Sequence, residues 1–424
     1  MEKLTAILIG AGNRGETYTN IMRRHMPERF KVVAVAEPID DRRNYIQEKH
    51  NLPEDMCFTD WAPLLEKGKI ADFAVIATMD RVHYAPAIAA IEAGYDLLLE
   101  KPIAPTYEEC KGITEAAEKY GRKVVICTVL RYTDIFNTIK DQIDKGALGK
   151  IMSINHEEGV GNIHQTHSFV RGNWGNAERS SDMLLQKSCH DIDILTWLIG
   201  KKCLKVQSFG NLSFFTAKNA PEGAPEYCLD GCPKQDTCPY YAPKLYLDDK
   251  DNHWFRSTST HKVEPTDEDV EYALRNTQYG KCVYKCDNNV VDHQVVSMLY
   301  EDDVAVTFTM NAFNRGGRFI HIMGTKGDLH AAMDGSSPIT VYDFETKEKT
   351  TVEVKARDGI QGGHGGGDTG ILDDLYAYFT GSYDGKSVPE IRESYYSHQI
   401  VFAIEEARKT GTVVDVDEFI KKNS

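Results

Sequence analysis

The chain has 424 residues, of which 41% are hydrophobic and 27% charged, with a formal net charge of −15 at pH 7. That length exceeds what a single core usually organises, so two domains are expected. The acidic balance excludes a nucleic-acid surface, which must present a basic face to phosphate.

The N-terminal stretch MEKLTAILIGAG has too short an apolar run, and no small-residue cleavage site, for a signal sequence. No later run approaches the ~20 apolar residues needed to span a bilayer. A cytoplasmic protein is expected, whose ten cysteines are thiols or metal ligands rather than disulfides. TAILIGAG reads as a strand followed by a helix from about Arg14. KVVAVAEP and FAVIAT are further strands, YAPAIAAIEAGY is a helix ending at Gly94, and YDLLLEK is a strand. EECKGITEAAEKYG and KVVICTVL add another helix and strand. Alternation of continuous apolar strands with helices predicts a parallel sheet covered on both faces over residues 1–130.

After Arg131 the pattern changes. A helix (DIFNTIKDQIDKGALG) precedes the strand-like KIMSINHEE, and a second helix spans about 182–198. KVQSFGNLSFF, QVVSMLYEDDVAVTFTMNAF, RFIHIMGTKGDLHAAM and ITVYDFE alternate in polarity, predicting a mostly antiparallel sheet with one exposed face. Residues 216–290 read as a Cys-rich insertion, and SYYSHQIVFAIEEARKTG as a terminal helix. The expected fold is α/β, with an N-terminal Rossmann domain (1–130) and a C-terminal α/β domain (131–424) built on that second sheet.

ILIGAGNRGE sets Gly10, Gly12 and Gly15 at G-x-G-x-x-G spacing between a strand and a helix. The first glycine permits the turn, the second lets pyrophosphate approach, and the third allows close helix packing. Glu37 ends the second strand and is suited to the adenosine ribose hydroxyls, so NAD is expected over NADP, although Arg42 and Arg43 follow closely. The strand LLLE ends on Glu100-Lys101-Pro102, an acid and a base at the end of a sheet where ligands bind.

GAGNRG, the run from His83 through EAGYDLLLEKPIA, RY at 131–132, KGALGKI and CHDIDIL together resemble the Gfo/Idh/MocA oxidoreductases. The resemblance covers nearly the whole chain. It implies that Lys101 hydrogen-bonds a reacting hydroxyl and that His190 is a general acid/base; Lys187, a cation on nearly the same helix face, is expected as a further substrate or catalytic contact. The expected coenzyme contacts are Gly10, Gly12, Asn13, Arg14, Gly15, Glu37, Thr78, His83, Glu100, Lys101 and Arg131. Tyr132, His156, Gln186, Asp191 and His364 are the expected substrate contacts, with Glu157, His164, His167 and Asp368 as supporting polar groups. Many relatives carry an aspartate where Gln186 stands, four residues before His190. An amide holds an imidazolium less strongly than a carboxylate, so either Lys187 and Asp191 take over part of that role or the chemistry is shifted.

EYCLDGCPKQDTCPYY and CVYKC present Cys228, Cys232, Cys238, Cys282 and Cys286. Structural zinc on Cys228, Cys232, Cys238 and Cys282 would staple a segment with little core of its own. The number of polar side chains favours a sugar, glycoside or cyclic polyol substrate, oxidised at a ring hydroxyl such as C3. A homo-oligomer, dimer or tetramer, is expected through the exposed sheet face, with no nucleic-acid or membrane partner. Two other readings stay open: a glycosidase acting by transient oxidation and elimination with retained NAD, and a non-catalytic nucleotide-binding regulator.

Overall fold

The structure is a computed structural model and describes residues 3–333, 338–354 and 364–423. The apolar runs of the first third form a six-stranded sheet of β1 (Leu4–Ile9), β2 (Phe30–Ala36), β3 (Cys57–Phe58), β4 (Phe73–Ile76), β5 (Asp96–Leu99) and β6 (Val124–Ile126). Its order is β3-β2-β1-β4-β5-β6, with every pair parallel. β1 is apolar from Ala6 to Ile9 because both its faces are covered. Ala6 and Leu8 join one buried cluster, while Ile7 and Ile9 join the other. Strand order reverses between β1 and β4, opening a crevice at their carboxyl ends.

The second sheet contains β7 (Ile151–Gly159), β8 (Cys203–Asn211), β9 (His293–Tyr300), β10 (Val304–Asn311), β11 (Gly317–Gly324), β12 (Gly327–Ala332), β13 (Ile339–Asp343), β14 (Lys349–Val352) and β15 (Val414–Asp415). Its order is β14-β13-β12-β11-β7-β10-β9-β8-β15, antiparallel except between β7 and β10. In β10, Val304, Val306, Phe308 and Met310 are buried and Ala305 and Thr307 exposed, so one face meets the core and the other water. The fold is therefore α/β, a Rossmann domain followed by a domain on a mostly antiparallel sheet. No helix among the described residues is long and apolar enough to cross a membrane.

Two parts of the chain differ from the expectation. The helix Asp40–His50 (DDRRNYIQEKH) was not singled out because it buries only Ile46 and so has no apolar stripe to read. The insertion is not a coreless loop. It contains the helices His253–Thr260 and Asp267–Asn276, packed through Ala242, Tyr246, Phe255, Val270 and Leu274. The zinc expectation is not supported: the cysteines are free thiols, and none belongs to a group of donors close enough to share one ion among the described residues. Instead, the buried Arg171 guanidinium donates to Cys228 Sγ at 3.7 Å and to the Tyr240 carbonyl at 2.7 Å. A fixed cation beside the thiol disfavours a second one there.

Arg131 also departs from its expected place at the coenzyme. It is fully buried, with Nε and Nη2 on the two Asp193 oxygens at 2.6 and 2.9 Å, and Nη1 on Glu393 at 2.6 Å. Ser397 donates to the same Asp193 at 3.0 Å. The guanidinium thus ties the end of the first domain to the helices Met183–Ile199 and Ile391–Thr410. Breaking one side of such a pair strands the other charge in a dry interior. Asp193→Asn is expected to cost about 3–5 kcal/mol, read as a lowered urea midpoint of unfolding; an unchanged midpoint refutes a structural role for Arg131.

Candidate active site

The glycine loop has the shape its residues require. Gly10 has φ +90°, and a Cβ there would lie 2.7 Å from the Ala77 backbone. A Cβ on Gly15 would meet the Gly10 carbonyl at 2.1 Å, whereas at Gly12 the nearest atom is 3.8 Å away, in Arg42. Gly10 and Gly15 therefore serve close packing, while Gly12 leaves room. Gly12 also caps the helix Asn13–His25 without a side-chain hydrogen bond, leaving its amide end for an anion. Glu37 sits at the end of β2, accepting from the amides of Ala11 at 2.7 Å and Ile39 at 3.0 Å. These groups fit a dinucleotide: an open turn for pyrophosphate and an acid set for ribose hydroxyls.

Glu100 is the junction of the site. Oε1 accepts from Arg14 Nε and from the Tyr18 hydroxyl, both at 2.7 Å, and Oε2 accepts from the Lys101 amide at 3.0 Å. Arg14 continues to Asp368 at 2.7 Å, at the start of the helix Gly367–Thr380. Burial pushes the Glu100 carboxyl up, but Arg14 and Lys101 outweigh it and hold the acid below its ordinary range. His83 is clamped between the Pro102 and Thr78 carbonyls at 2.9 and 3.1 Å, which joins the EKP turn to the end of β4.

Lys101 reaches across to the second domain and donates to the Gln186 carbonyl at 2.7 Å. Burial lowers its pKa, and Lys187 and Arg14 push the same way against the opposing pull of Cys189 and Glu100. One cavity of about 570 Å³ brings together Lys101, Gln186, Lys187 and His190 with Asn13, Arg14, Thr78 and His83. Gln186 Oε1 is buried without a hydrogen-bond partner among the described residues, an acceptor left for a ligand hydroxyl. Phe169, Trp174, Trp254 and His164 wall the cavity, and burial, then Lys187, holds the His164 ring well below its ordinary pKa and neutral.

Three expected substrate contacts lie beneath this cavity rather than in its wall. Tyr132 is packed into the apolar core. His156 Nε2 meets Asp191 Oδ1 at 2.8 Å, and both side chains are fully buried. Arg318 bridges Asp191 at 2.9 Å and Glu158 at 2.6 Å, and Glu158 in turn pairs with Lys187 at 3.1 Å. The side chain of His364 lies outside the described residues. Strand alternation explains the acid that was missed: His156 and Glu158 point inward, whereas Glu157 lines the outward face of the sheet. Trp254 had no readable signal, because it comes from the insertion. There Thr258 Oγ1 accepts from Asn13 at 3.1 Å, and the Val263 amide donates to Asp41 at 2.7 Å, bringing the insertion onto the coenzyme loop.

Known proteins match this architecture. Residues 4–128 fit the family model described as "Oxidoreductase family, NAD-binding Rossmann fold", and 140–416 fit its "C-terminal alpha/beta domain". YteT of Bacillus subtilis, an oxidoreductase by name, is 23% identical over 72% of this chain and 72% of its own. The inositol 2-dehydrogenase of Salmonella typhimurium is 24% identical over 52% of this chain, which spans 62% of that relative. The crystal structure of aldose-aldose oxidoreductase from Caulobacter crescentus superposes with a TM-score of 0.68 at 15% identity, covering 98% of this chain and 100% of that one.

The Asp191 network makes stability pH-dependent. Burial raises the Asp191 pKa, but Arg318 and the His156 hydrogen bond override it, so the net shift is downward. A carboxyl held lower when folded than when unfolded stabilises the fold fully above its unfolded value of about 4 and loses that contribution as pH falls further. The urea midpoint is expected to drop as pH falls from about 4 to about 2, and Asp191→Asn to flatten that drop while lowering the midpoint at neutral pH. A wild-type midpoint that holds across this window contradicts the assignment.

Proposed function

The chain belongs to the Gfo/Idh/MocA oxidoreductase family, and from that premise we propose that it oxidises a ring hydroxyl, such as C3, of a sugar, glycoside or cyclic polyol with NAD. The observation that carries the reading is the single cavity in which Lys101 and His190 meet the glycine-loop residues. Inositol dehydrogenases and an aldose-aldose oxidoreductase among the relatives and structural neighbours support the substrate class. The aromatic wall of Phe169, Trp174 and Trp254 supplies flat apolar surface for a sugar ring, while Gln186 Oε1 and the lysines supply its polar contacts.

Gly10, Gly12, Asn13, Arg14, Gly15, Glu37 and Thr78 would hold the coenzyme, which supplies the two-electron acceptor when bound. His190 would take the hydroxyl proton, and the Lys101 ammonium would stabilise the alkoxide that develops on the same oxygen. Lys101 follows the end of β5 and His190 lies mid-way along the helix Met183–Ile199, so their spacing is set before substrate enters. Lys187, paired with Glu158 at 3.1 Å, would serve as a substrate or catalytic contact. Glu37 favours NAD over NADP. A second reading, the oxidation–elimination glycosidase, is favoured by the insertion's contact with the coenzyme loop through Asn13 and Thr258, which would slow coenzyme release.

The test is purified protein with NAD and a panel of sugars, glycosides and inositols, followed by the absorbance of reduced coenzyme and by product chromatography. A dehydrogenase accumulates reduced coenzyme with one substrate class. Lys101→Met and His190→Ala are each expected to lower kcat by about 100-fold or more, with an alkaline fall in activity below the ordinary lysine range of about 10.4 as the depressed Lys101 loses its proton. Glycoside cleavage without net reduced coenzyme transfers the proposal to the second reading. Silence in both channels refutes both.

A further inference from the structure

A second cavity, of about 810 Å³, lies on the outward face of the nine-stranded sheet and shares no lining residue with the first. In its wall β11 and β12 form a tight hairpin that brings three donor side chains together. The ladder pairs His321 directly with His330, and Asp328, two residues before His330, shares its face. The two imidazoles stack with centroids 3.7 Å apart and planes 18° from parallel. Both Nε2 atoms converge on the same Asp328 oxygen, at 2.9 Å from His321 and 3.1 Å from His330. The donor atoms of all three residues lie within 4.8 Å of one another.

We propose that His321, Asp328 and His330 form a binding site for a divalent transition-metal ion, independent of the redox cavity. Two imidazoles and a carboxylate make a borderline donor set that prefers ions such as Ni²⁺ and Co²⁺ to Mg²⁺ or Ca²⁺. With bonds of about 2.1 Å, tetrahedral donors stand about 3.4 Å apart. The carboxylate–imidazole distances of 2.9 and 3.1 Å need to open by only a few tenths of an ångström, which small side-chain rotations provide. Each imidazole binds the ion in its neutral form, with the ring proton on Nδ1. Three protein donors on one strand pair leave the remaining positions facing the cavity, open to water or to an oxygen ligand. The ion would cross-link β11 to β12 across a hairpin already fixed by its ladder, so little ordering entropy opposes binding.

The experiment titrates chelator-stripped, full-length protein with Co²⁺ and Ni²⁺ by calorimetry and visible absorption. One equivalent is expected to bind, with ligand-field bands of nitrogen and oxygen donors and no sulfur charge-transfer band. His330→Ala and Asp328→Asn should each weaken it at least 10-fold, and Lys101→Met should leave it unchanged. His330 is more than half exposed, so its replacement leaves the fold intact. Absence of binding overturns the proposal, as does binding that survives both substitutions. A thiolate charge-transfer band overturns it too, by placing the ion at the cysteines of the insertion.

Discussion

The carboxylate of Glu100 is the constraint on which the coenzyme end of the molecule depends. It stands at the end of β5, nearly inaccessible to water, and fixes three things at once: the Arg14 side chain at the start of the first helix, the Tyr18 hydroxyl one turn later, and the amide of Lys101. Asp368 holds the other end of the same guanidinium. A buried acid of this kind is tolerated only because cations and donors surround it, and truncating any one of them leaves an uncompensated charge. The glycine loop, Lys101 and the C-terminal segment are therefore positioned by one electrostatic junction.

A comparable arrangement lies beneath His190. Gln186 carries no charge; the negative charges here are those of the buried Asp191 and Glu158, balanced by Arg318, His156 and Lys187. The consequence is electrostatic rather than steric. Lys187 is held by Glu158 at the cavity edge, and its charge contributes to lowering the Lys101 pKa. The backbone carbonyl of residue 186 accepts from Lys101, and the Gln186 side chain offers the cavity an unfilled acceptor, Oε1, in place of a charge.

What could be read from the chain followed from local spacing. The strand–glycine-turn–helix unit, the acid ending β2 and the EKP turn are each contiguous, and both strand patterns follow from whether one or two faces are covered. What could not be read depended on partners far away in sequence. Arg131 looks like a coenzyme contact until Asp193 and Glu393 close around it. His156 and Asp191 look like substrate groups until they face one another in the interior. In HEEG, Glu157 adjoins the histidine in sequence, but the two-residue period of a strand puts Glu158 on its face. The insertion's cysteines suggested a metal because its aromatic core, spread over Tyr246, Phe255 and their neighbours, has no simple periodicity.

That core changes what the insertion can do. A coreless loop would be a passive excursion, but a packed helical unit can hold a side chain in a defined place. Trp254 stands in the cavity wall beside His164, with ring centroids 5.1 Å apart, while Thr258 on the same short helix meets Asn13 of the coenzyme loop. One element thus touches both the coenzyme loop and the cavity wall opposite Lys101. Its position would couple the two sites: anything that lifts Trp254 from the wall must also release Asn13. With the glycine loop and Glu37 supplied by the Rossmann domain, such an element adds less to coenzyme recognition than to enclosure, excluding water from the cavity lined by Lys101 and His190.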